Sequence, residues 1–186
     1  MSKALPARAD VVIIGGGIVG ASIAYHLAKI GIRNTLLLER KQLTSGTTWH
    51  AAGLVGQLRA SRNLTELAKY TTGLFEKLEK ETGKATGFKQ HGSISMALNA
   101  GRMEELMRGA SMAKNFGLDV KVIATGEIAE RVPHYNLQGV VGGVFLPKDG
   151  QVNPIDVTQA LAAGARERGV KILENTRALR IVVHKG

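Results

Sequence analysis

Cysteine is absent from this chain of 186 residues, and its absence limits the chemistry available. Disulfides, thiolate zinc sites and cysteine-ligated iron–sulfur clusters are excluded. The absence also fits a reducing compartment. Histidines are few and scattered, without an i, i+4 pair or a neighbouring acidic cluster, and they are His26, His50, His91, His134 and His184. We therefore expect no metal site.

Aromatic residues and long apolar runs are also scarce. Aromatic residues make up 4% of the chain. No apolar run approaches the roughly 18 residues that span a bilayer. The N-terminal segment before the first strand also lacks the apolar core of a secretory signal. We expect neither a membrane span nor a membrane partner.

Positive charge is in excess, with a formal net charge of +10. A nucleic-acid partner must therefore be considered. The densest basic stretch lies near the C-terminus and contains Arg166, Arg168, Lys171, Arg177, Arg180 and Lys185. Basic residues elsewhere mix with acidic ones, and no aromatic residues interleave to form a stacking platform. We interpret the charge as a solvated face, or one covered by further sequence, and expect no nucleic-acid partner.

The N-terminal part of the sequence predicts a strand, a helix and a second strand. Residues 10–14 are β-branched and end in glycines, residues 18–30 carry a helical pattern closed by Gly31, and residues 35–38 are apolar. Such a βαβ unit has parallel strands and a right-handed crossover.

Further along, helices are predicted at 63–82, 102–116 and 126–131 and from Asn153-Pro154, and strands at 91–98, 120–123, 140–146, 170–173 and 178–183. The expected fold class is α/β, with a Rossmann-like nucleotide-binding domain interleaved with part of an α+β substrate domain. Residues 1–60 would begin the nucleotide domain, 61–150 would form the partial substrate domain, and 151–186 would return to the first domain.

A glycine pattern occupies the first turn of this unit. Gly15, Gly17 and Gly20 form a G-x-G-x-x-G fingerprint between the strand and the helix, where a pyrophosphate meets the helix N-terminus. Glu39 ends the second strand, where a carboxylate accepts hydrogen bonds from a ribose diol and repels a 2′-phosphate. The alternative is a glycine-rich turn with an ordinary glutamate. The pattern favours NAD or FAD over NADP.

A second motif favours FAD. Ser45, Thr47 and Thr48 bring hydroxyl groups suited to phosphate oxygens, and the small residues of 51–53 let the backbone lie against a flat ring. His50 stands between these groups, and a neutral imidazole is a competent nucleophile toward the 8-methyl carbon of a flavin. The alternative is a buried, hydrogen-bonded histidine beside a tryptophan, Trp49, that only fills the core.

Residues 8–180 resemble the N-terminal part of the sarcosine dehydrogenase and dimethylglycine dehydrogenase family, a branch of the D-amino-acid-oxidase-like flavoproteins. The similar stretches are ADVVIIGGG (9–17), LTSGTTWHAAGL (43–54), QLR (57–59), LEKETG (78–83), HGS (91–93), DG (149–150), NP (153–154) and ENT (174–176). The resemblance implies that His50 carries FAD covalently. It further implies that the flavin is lined by Ile18, Val19, Glu39, Arg40, Gly46, Thr47, Thr48, Trp49, Ala51, Ala52, Gly53 and Leu54, with Ala178 on the adenine side.

The same resemblance implies the activity. An intact member oxidises an N-methylated amine such as sarcosine or dimethylglycine and passes electrons to an electron-transfer flavoprotein or to oxygen. We expect the bacterial cytoplasm or the mitochondrial matrix. Family members are several times longer, so we expect a truncated chain that is inactive by itself, with tetrahydrofolate bound only in the missing C-terminal part.

Catalytic residues stay unassigned at this point. His91 and His134 are candidates by residue type alone. Three alternatives remain: an oxidase of another secondary amine such as 4-methylaminobutanoate, a non-catalytic binding or regulatory protein that keeps the fold, and a basic nucleic-acid binder.

Overall fold

The computed structural model describes residues 5–32 and 34–184, and their internal contacts form two compact units. The first unit contains the described residues up to Gly53, with 75–88 and those from Val152 onward; the second contains 54–74 and 89–151. The helices are α1 (Ile18–Lys29), α2 (Arg62–Thr82), α3 (Ala100–Asn115), α4 (Thr125–Arg131) and α5 (Pro154–Glu167). The strands are β1 (Val11–Ile14), β2 (Thr35–Leu38), β3 (Leu54–Val55), β4 (Ser93–Ala97), β5 (Lys121–Ile123), β6 (Gly142–Leu146), β7 (Gly150–Gln151) and β8 (Lys171–Leu173).

The first unit is built on a parallel sheet in the order β1-β2-β8. Ile13 pairs with Leu37, which in turn pairs with Ile172. Parallel strands need a crossover, and α1 supplies the one between β1 and β2. The expected α/β class is confirmed.

Helix α1 buries part of the face that its sequence pattern predicts as core. Ala24 and Ala28, which lie on that predicted face, are buried, whereas Ile23 and Ile30, predicted on the same face, are exposed. The helix packs closely against α5, where a Cβ on Gly164 would lie 2.9 Å from Cε2 of Tyr25. The Tyr25 ring therefore occupies the space that a side chain at position 164 would need.

The predicted strand at 178–183 is wrong. Residues 178–184 form no ladder with any described strand, and Leu179, Ile181 and Val183 are exposed. An apolar segment becomes a strand only when a neighbouring strand accepts and donates its backbone hydrogen bonds. The two-residue strands β3 and β7, which pair with each other, went unpredicted because they are too short to show alternation.

The second unit contains an antiparallel sheet in the order β4-β6-β5. The central strand β6 is buried along its length. Val144 packs with Ala110 and Ala113 of α3 in one cluster, and Phe145 packs with Ile128 of α4 in another. Side chains that alternate along one strand therefore enter separate cores.

The first turns of α2 bury threonines rather than leucines. The helical pattern of residues 63–82 predicts Leu64 and Leu67 on the inward face, but both are exposed, whereas Thr65 and Thr72 are buried. Thr72 accepts a hydrogen bond from Nε2 of Gln57 at 2.7 Å, and Thr65 donates to the Arg59 carbonyl. Buried hydroxyl groups that have hydrogen-bond partners are tolerated in a protein core. Residue polarity alone therefore predicts the wrong buried face for the first turns of α2. Met107 of α3, which the helical pattern of residues 102–116 predicts to face inward, is exposed as well.

No helix formed by residues 5–32 and 34–184 has the length and apolar character needed to cross a bilayer.

A buried tyrosine of α1 contacts residues at the C-terminal ends of α2 and α5. Tyr25 is fully buried and donates a hydrogen bond to Oε1 of Glu81 at 2.7 Å. Arg168 also pairs with Glu81, and its guanidinium lies 5.3 Å from the Tyr25 ring centroid. Burial raises the pKa of Glu81, but the Tyr25 hydrogen bond and the charges of Arg168 and Lys29 outweigh it and hold that pKa below its ordinary value.

We predict that Glu81→Gln lowers the free energy of unfolding at pH 7 by about 1–2 kcal/mol, because a charge-assisted hydrogen bond is replaced by a neutral one. The folded-state pKa of Glu81 lies below its unfolded value. The stabilisation is therefore present above about pH 4.5 and is lost as the pH falls through the folded-state pKa.

Urea unfolding at pH 7 and at pH 3 measures both effects, and the difference between variant and wild type should be smaller at pH 3 than at pH 7. Glu104→Gln is the matched control, since Glu104 pairs with Arg108 on an exposed face of α3 and should change stability by at most about 0.5 kcal/mol. Equal effects of the two substitutions would contradict the role given to Glu81.

Candidate cofactor-binding site

The glycine turn between β1 and α1 brings two backbone segments into contact. Gly15 has a φ of 115°, and a Cβ on Gly20 would lie 2.0 Å from the Gly15 carbonyl oxygen. No side chain fits at Gly20, and an L-residue is strained at Gly15. The first turn of α1 therefore starts directly beside the end of β1, with its N-terminal N–H groups near the glycine backbone.

Glu39 is held against this turn by both carboxylate oxygens. Oε2 accepts the N–H of Gly16 at 2.7 Å, and Oε1 accepts the N–H of Lys41 at 2.8 Å. Each oxygen keeps a second acceptor position. Glu39 thus has a fixed orientation at the end of β2 and retains the capacity to accept hydroxyl donors.

Residues 48–50 form one 3₁₀ turn rather than the start of a longer helix. Thr48 is buried, and its Oγ1 accepts the N–H of Ile18, the first residue of α1, at 3.1 Å. A Cβ on Gly17 would lie 3.0 Å from the same oxygen. The hydroxyl therefore fixes the turn that contains His50 to the start of α1.

Trp49 and His50 stack on each other at the surface of the first unit. Their ring centroids are 3.7 Å apart and their planes differ by 32°. Both side chains are exposed, Trp49 to 54%. Neither residue fills the core, so the alternative of a buried, hydrogen-bonded histidine beside a core tryptophan is not supported.

Two glycines flank this motif with different surroundings. Gly53 has a φ of 75°, and its Cβ would lie 2.2 Å from the Val152 carbonyl oxygen. Its own carbonyl accepts the N–H of Val152 at 2.8 Å. A Cβ on Gly46 would meet nothing within 4 Å.

The remaining predicted residues differ in where they lie. Exposed positions of the first unit hold Val19, Arg40, Ser45, Gly46, Thr47, Ala51 and Ala52. Ala178 is half-buried and follows Thr176, whose N–H donates to the Glu39 carbonyl at 2.8 Å. Leu54 belongs to the second unit, where it is exposed and pairs with Gln151.

Gly16, Leu43 and Thr44 lie in this region but were not among the site residues predicted from the sequence. A Cβ on Gly16 would lie 2.6 Å from Cδ2 of Leu43 and 2.8 Å from Cβ of Glu39. Thr44 has a φ of 72° and donates its N–H to the Gly16 carbonyl at 3.0 Å. The run of three glycines signalled Gly16, whereas no local pattern marks a threonine with positive φ.

The residues present fit the ADP half of a dinucleotide. A Cβ on Gly15 would meet nothing within 4 Å, so open space lies beside the backbone of the glycine turn. The N-terminus of α1 favours an anion there. Glu39 stands ready for hydroxyl donors at the end of β2.

The two histidines singled out by type lie in the second unit. His91 lines a cavity of about 560 Å³ with Gly92, Ile94, Met96, Arg131, Val132, Tyr135 and Phe145. The Arg131 guanidinium lies 4.2 Å from the Phe145 ring centroid and pairs with Glu127. His134 is exposed. Neither histidine gains a catalytic partner from this geometry, and their roles stay predictions.

Basic residues near the C-terminus are partly paired. Arg166 pairs with Glu174 at 3.6 Å, and Arg168 pairs with Glu81. Lys185, the last of the basic stretch, falls outside the described residues. Within the part of the chain that the structure describes, no cluster of three or more histidine or carboxylate side chains could hold a metal ion.

Comparison with known proteins gives one family. The sequence model described as FAD dependent oxidoreductase matches residues 10–186. Among curated relatives, the mitochondrial pyruvate dehydrogenase phosphatase regulatory subunit of Mus musculus is 40% identical over 100% of this chain and 21% of its own length. The mitochondrial sarcosine dehydrogenase of Homo sapiens is 41% identical over 94% of this chain and 19% of its own. The 4-methylaminobutanoate oxidase (formaldehyde-forming) of Paenarthrobacter nicotinovorans is 42% identical over 97% of this chain and 21% of its own.

The chain spans about a fifth of the length of these curated relatives. A solved structure also matches: the L-proline dehydrogenase from P. horikoshii has a TM-score of 0.91 and 30% identity, with 97% of this chain and 47% of that chain covered. The resemblance drawn from the motifs is thereby confirmed.

We predict that Gly20→Ala lowers the free energy of unfolding by about 1–3 kcal/mol, because the methyl group cannot fit beside the Gly15 carbonyl. Gly109→Ala is the matched control, since Gly109 lies in α3 with nothing within 4 Å of its Cβ position. It should raise stability by about 0.5–1 kcal/mol through helix propensity. Chemical unfolding compares the two, and a stabilising Gly20→Ala would contradict the close approach.

We also predict that Thr48→Val lowers the free energy of unfolding by about 1 kcal/mol, because the Ile18 N–H loses its side-chain acceptor. Thr48→Ser keeps the hydroxyl and should retain most of the stability. Thermal unfolding of the three proteins measures the effect. If valine and serine behave alike, the hydroxyl does not anchor the turn.

Proposed function

Because the chain belongs to the family of FAD-dependent oxidoreductases, we propose that it is the N-terminal flavin-binding part of an enzyme that oxidises N-methyl amino acids such as sarcosine or dimethylglycine. One observation carries the proposal. Glu39 and the turn of His50 are both hydrogen-bonded to the glycine turn at the start of α1, through Gly16 and Ile18. A nucleotide-binding turn and a nucleophile are thereby fixed in the same unit.

In this proposal the ADP half of FAD lies on the glycine turn. Gly15, Gly17 and Gly20 give the pyrophosphate access to the N–H groups of α1. Glu39 accepts the ribose hydroxyls with its remaining acceptor positions. The other cofactor contacts proposed are Ile18, Val19, Arg40, Ser45, Gly46, Thr47, Thr48, Trp49, Ala51, Ala52, Gly53, Leu54 and Ala178.

His50 is proposed as the covalent tether. A bond forms between one of its ring nitrogens and the methyl carbon at position 8 of the flavin. The ring proton of His50, one proton of the methyl group and two electrons leave, and dioxygen takes up these two protons and two electrons to form hydrogen peroxide. The exposed imidazole at the end of an anchored turn supports this role, since the nucleophile is accessible and its backbone is fixed.

Bound FAD supplies the two-electron acceptor that takes a hydride from the carbon beside the amine nitrogen. The chain's own residues bind and orient this cofactor, and no described residue is proposed as the catalytic acid or base. The proposed acceptors are an electron-transfer flavoprotein or oxygen, and tetrahydrofolate is proposed to bind only outside these residues. The bacterial cytoplasm or the mitochondrial matrix is the proposed compartment.

Two alternatives have support among the relatives. The 4-methylaminobutanoate oxidase is as similar as the sarcosine dehydrogenase, so the whole protein is alternatively an oxidase of another secondary amine. The similarity to a phosphatase regulatory subunit supports a non-catalytic role instead. The glycine turn together with an accessible His50 favours the flavoenzyme, because a purely regulatory surface needs neither.

Intact mass of the denatured chain tests the proposal. After expression with FAD available, we expect the mass to increase by one FAD less two hydrogens, and we expect His50→Ala to abolish the increase. His91→Ala is the matched control, an exposed histidine of the second unit that should leave the increase unchanged.

An unmodified wild-type mass, or a shift that persists in His50→Ala, would contradict the tether. We further expect the 186 residues alone to show no amine-dependent dye reduction, since they span about a fifth of the catalytic relatives. Sarcosine-dependent reduction by this chain would overturn that expectation.

A further inference from the structure

We infer that the second unit contains a further binding site, for a small carboxylate that carries an apolar body. The site is the cavity of about 560 Å³ that Arg131 and Phe145 line, called the Arg131 cavity from here on. Its volume lies within the range of roughly 300–1,000 Å³ that is typical of small-molecule sites. None of its lining residues belongs to the proposed flavin site, so the inference goes beyond the proposed function.

One wall of the Arg131 cavity is an aromatic ring held in place by its neighbours. Phe145 lies on the central strand β6 and is buried. Gly92 has a φ of 85°, and a Cβ there would lie 2.3 Å from Cε2 of Phe145. Ile94, Met96 and Ile128 belong to the same apolar cluster as the ring. The ring is therefore fixed before any ligand binds, and it offers an apolar surface.

Arg131, the last residue of α4, is oriented against this ring. Its guanidinium carbon lies 4.2 Å from the Phe145 ring centroid. Its Nε and Nη2 both donate to Oε1 of Glu127, at 3.2 and 2.8 Å. Its Nη1 donates to no residue that the structure describes, so the N–H groups of this nitrogen stay available. A guanidinium that is fixed on two sides and has donors left is suited to a charge-assisted hydrogen bond with a carboxylate.

The lining of the Arg131 cavity favours an anion over an amino acid. Arg131, His91 and Tyr135 bring N–H or O–H donors, and the other lining residues have apolar side chains or are glycine. Among the eight described residues that line the cavity, none carries a carboxylate, so an ammonium group has no charged partner there. The N-methyl amino acids of the proposed reaction therefore fit poorly. A carboxylate on an alkyl or aryl body matches both the donors and the ring.

Titration of the isotope-labelled chain with 3-phenylpropanoate, followed by amide NMR shifts, tests the site. We expect a dissociation constant of about 1 mM, with the largest shifts at residues 91–96 and 131–135. The uncharged amide of this acid tests the need for negative charge. Phenylalanine, which is the same acid with an ammonium group beside the carboxylate, tests the discrimination against amino acids. Both should bind at least about tenfold more weakly.

A matched pair of variants tests the role of Arg131. Arg131→Gln removes the charged donors and should weaken binding of 3-phenylpropanoate about tenfold or more. Arg108→Gln is the control, because Arg108 also pairs with a glutamate four residues earlier, Glu104, but lies on an exposed face of α3. It should leave the dissociation constant unchanged. Urea unfolding verifies that each variant is folded, and if Arg131→Gln is not, the comparison of the three ligands on wild type decides.

Several results would overturn the inference. They are the absence of shifts at residues 91–96 and 131–135 up to about 10 mM ligand, equal binding of the acid and its amide, equal binding of phenylalanine, or unchanged binding by a folded Arg131→Gln chain. The readout needs no flavin. A chain that fails to bind FAD therefore refutes the proposed function and leaves this inference standing.

Discussion

The backbone contact between Gly15 and Gly20 is the constraint on which the first unit depends. A Cβ at Gly20 would lie 2.0 Å from the Gly15 carbonyl, so α1 can start this close to β1 only with glycine there. From that start, the N–H of Ile18 reaches Thr48, and the N–H of Gly16 reaches Glu39. The proposed phosphate-binding turn, the proposed ribose acceptor and the candidate tether are thus oriented by one close approach.

Packing elsewhere in the first unit stabilises the position of α1. Small residues of α1 allow α5 to approach until Gly164 touches the ring of Tyr25. Tyr25 then donates to Glu81, which also pairs with Arg168. Segments far apart in sequence are joined here by one buried hydroxyl and one partly exposed carboxylate. The stability of the first unit and the geometry of the candidate site consequently depend on the same helix, because α1 contributes to both.

Sequence patterns predicted the parts of the fold that depend on local physics. The glycine fingerprint, the helix after it and the strand at 35–38 were found because glycine, helical periodicity and a short apolar run are each local signals. The segment at 178–183 has the same apolar signal but no strand beside it among the described residues, so pairing, a non-local property, decides its conformation. Thr65 and Thr72 were missed because their burial depends on partners in Gln57 and Arg59, which no periodicity reveals.

The candidate site also has features that the sequence predicts and features that depend on non-local contacts. Glu39 and His50 were singled out from spacing and residue type, and the structure adds what fixes them: the N–H of Gly16 and the hydroxyl of Thr48. Such contacts cannot be predicted from spacing, because they depend on where the turn at 48–50 lies in relation to α1. Thr44 illustrates the limit, since it combines a positive φ with a hydrogen bond from its N–H to the Gly16 carbonyl, a contact between segments that are distant in sequence.

The central claim is that this unit binds the ADP half of FAD, and a calorimetric titration tests it most directly. For the His50→Ala chain, which cannot tether the cofactor, the account predicts one FAD bound per chain, displaced by ADP but not by adenosine 2′,5′-bisphosphate, because Glu39 accepts ribose hydroxyls and repels a 2′-phosphate. Absence of FAD binding, or displacement by the 2′-phosphorylated nucleotide as readily as by ADP, would contradict it.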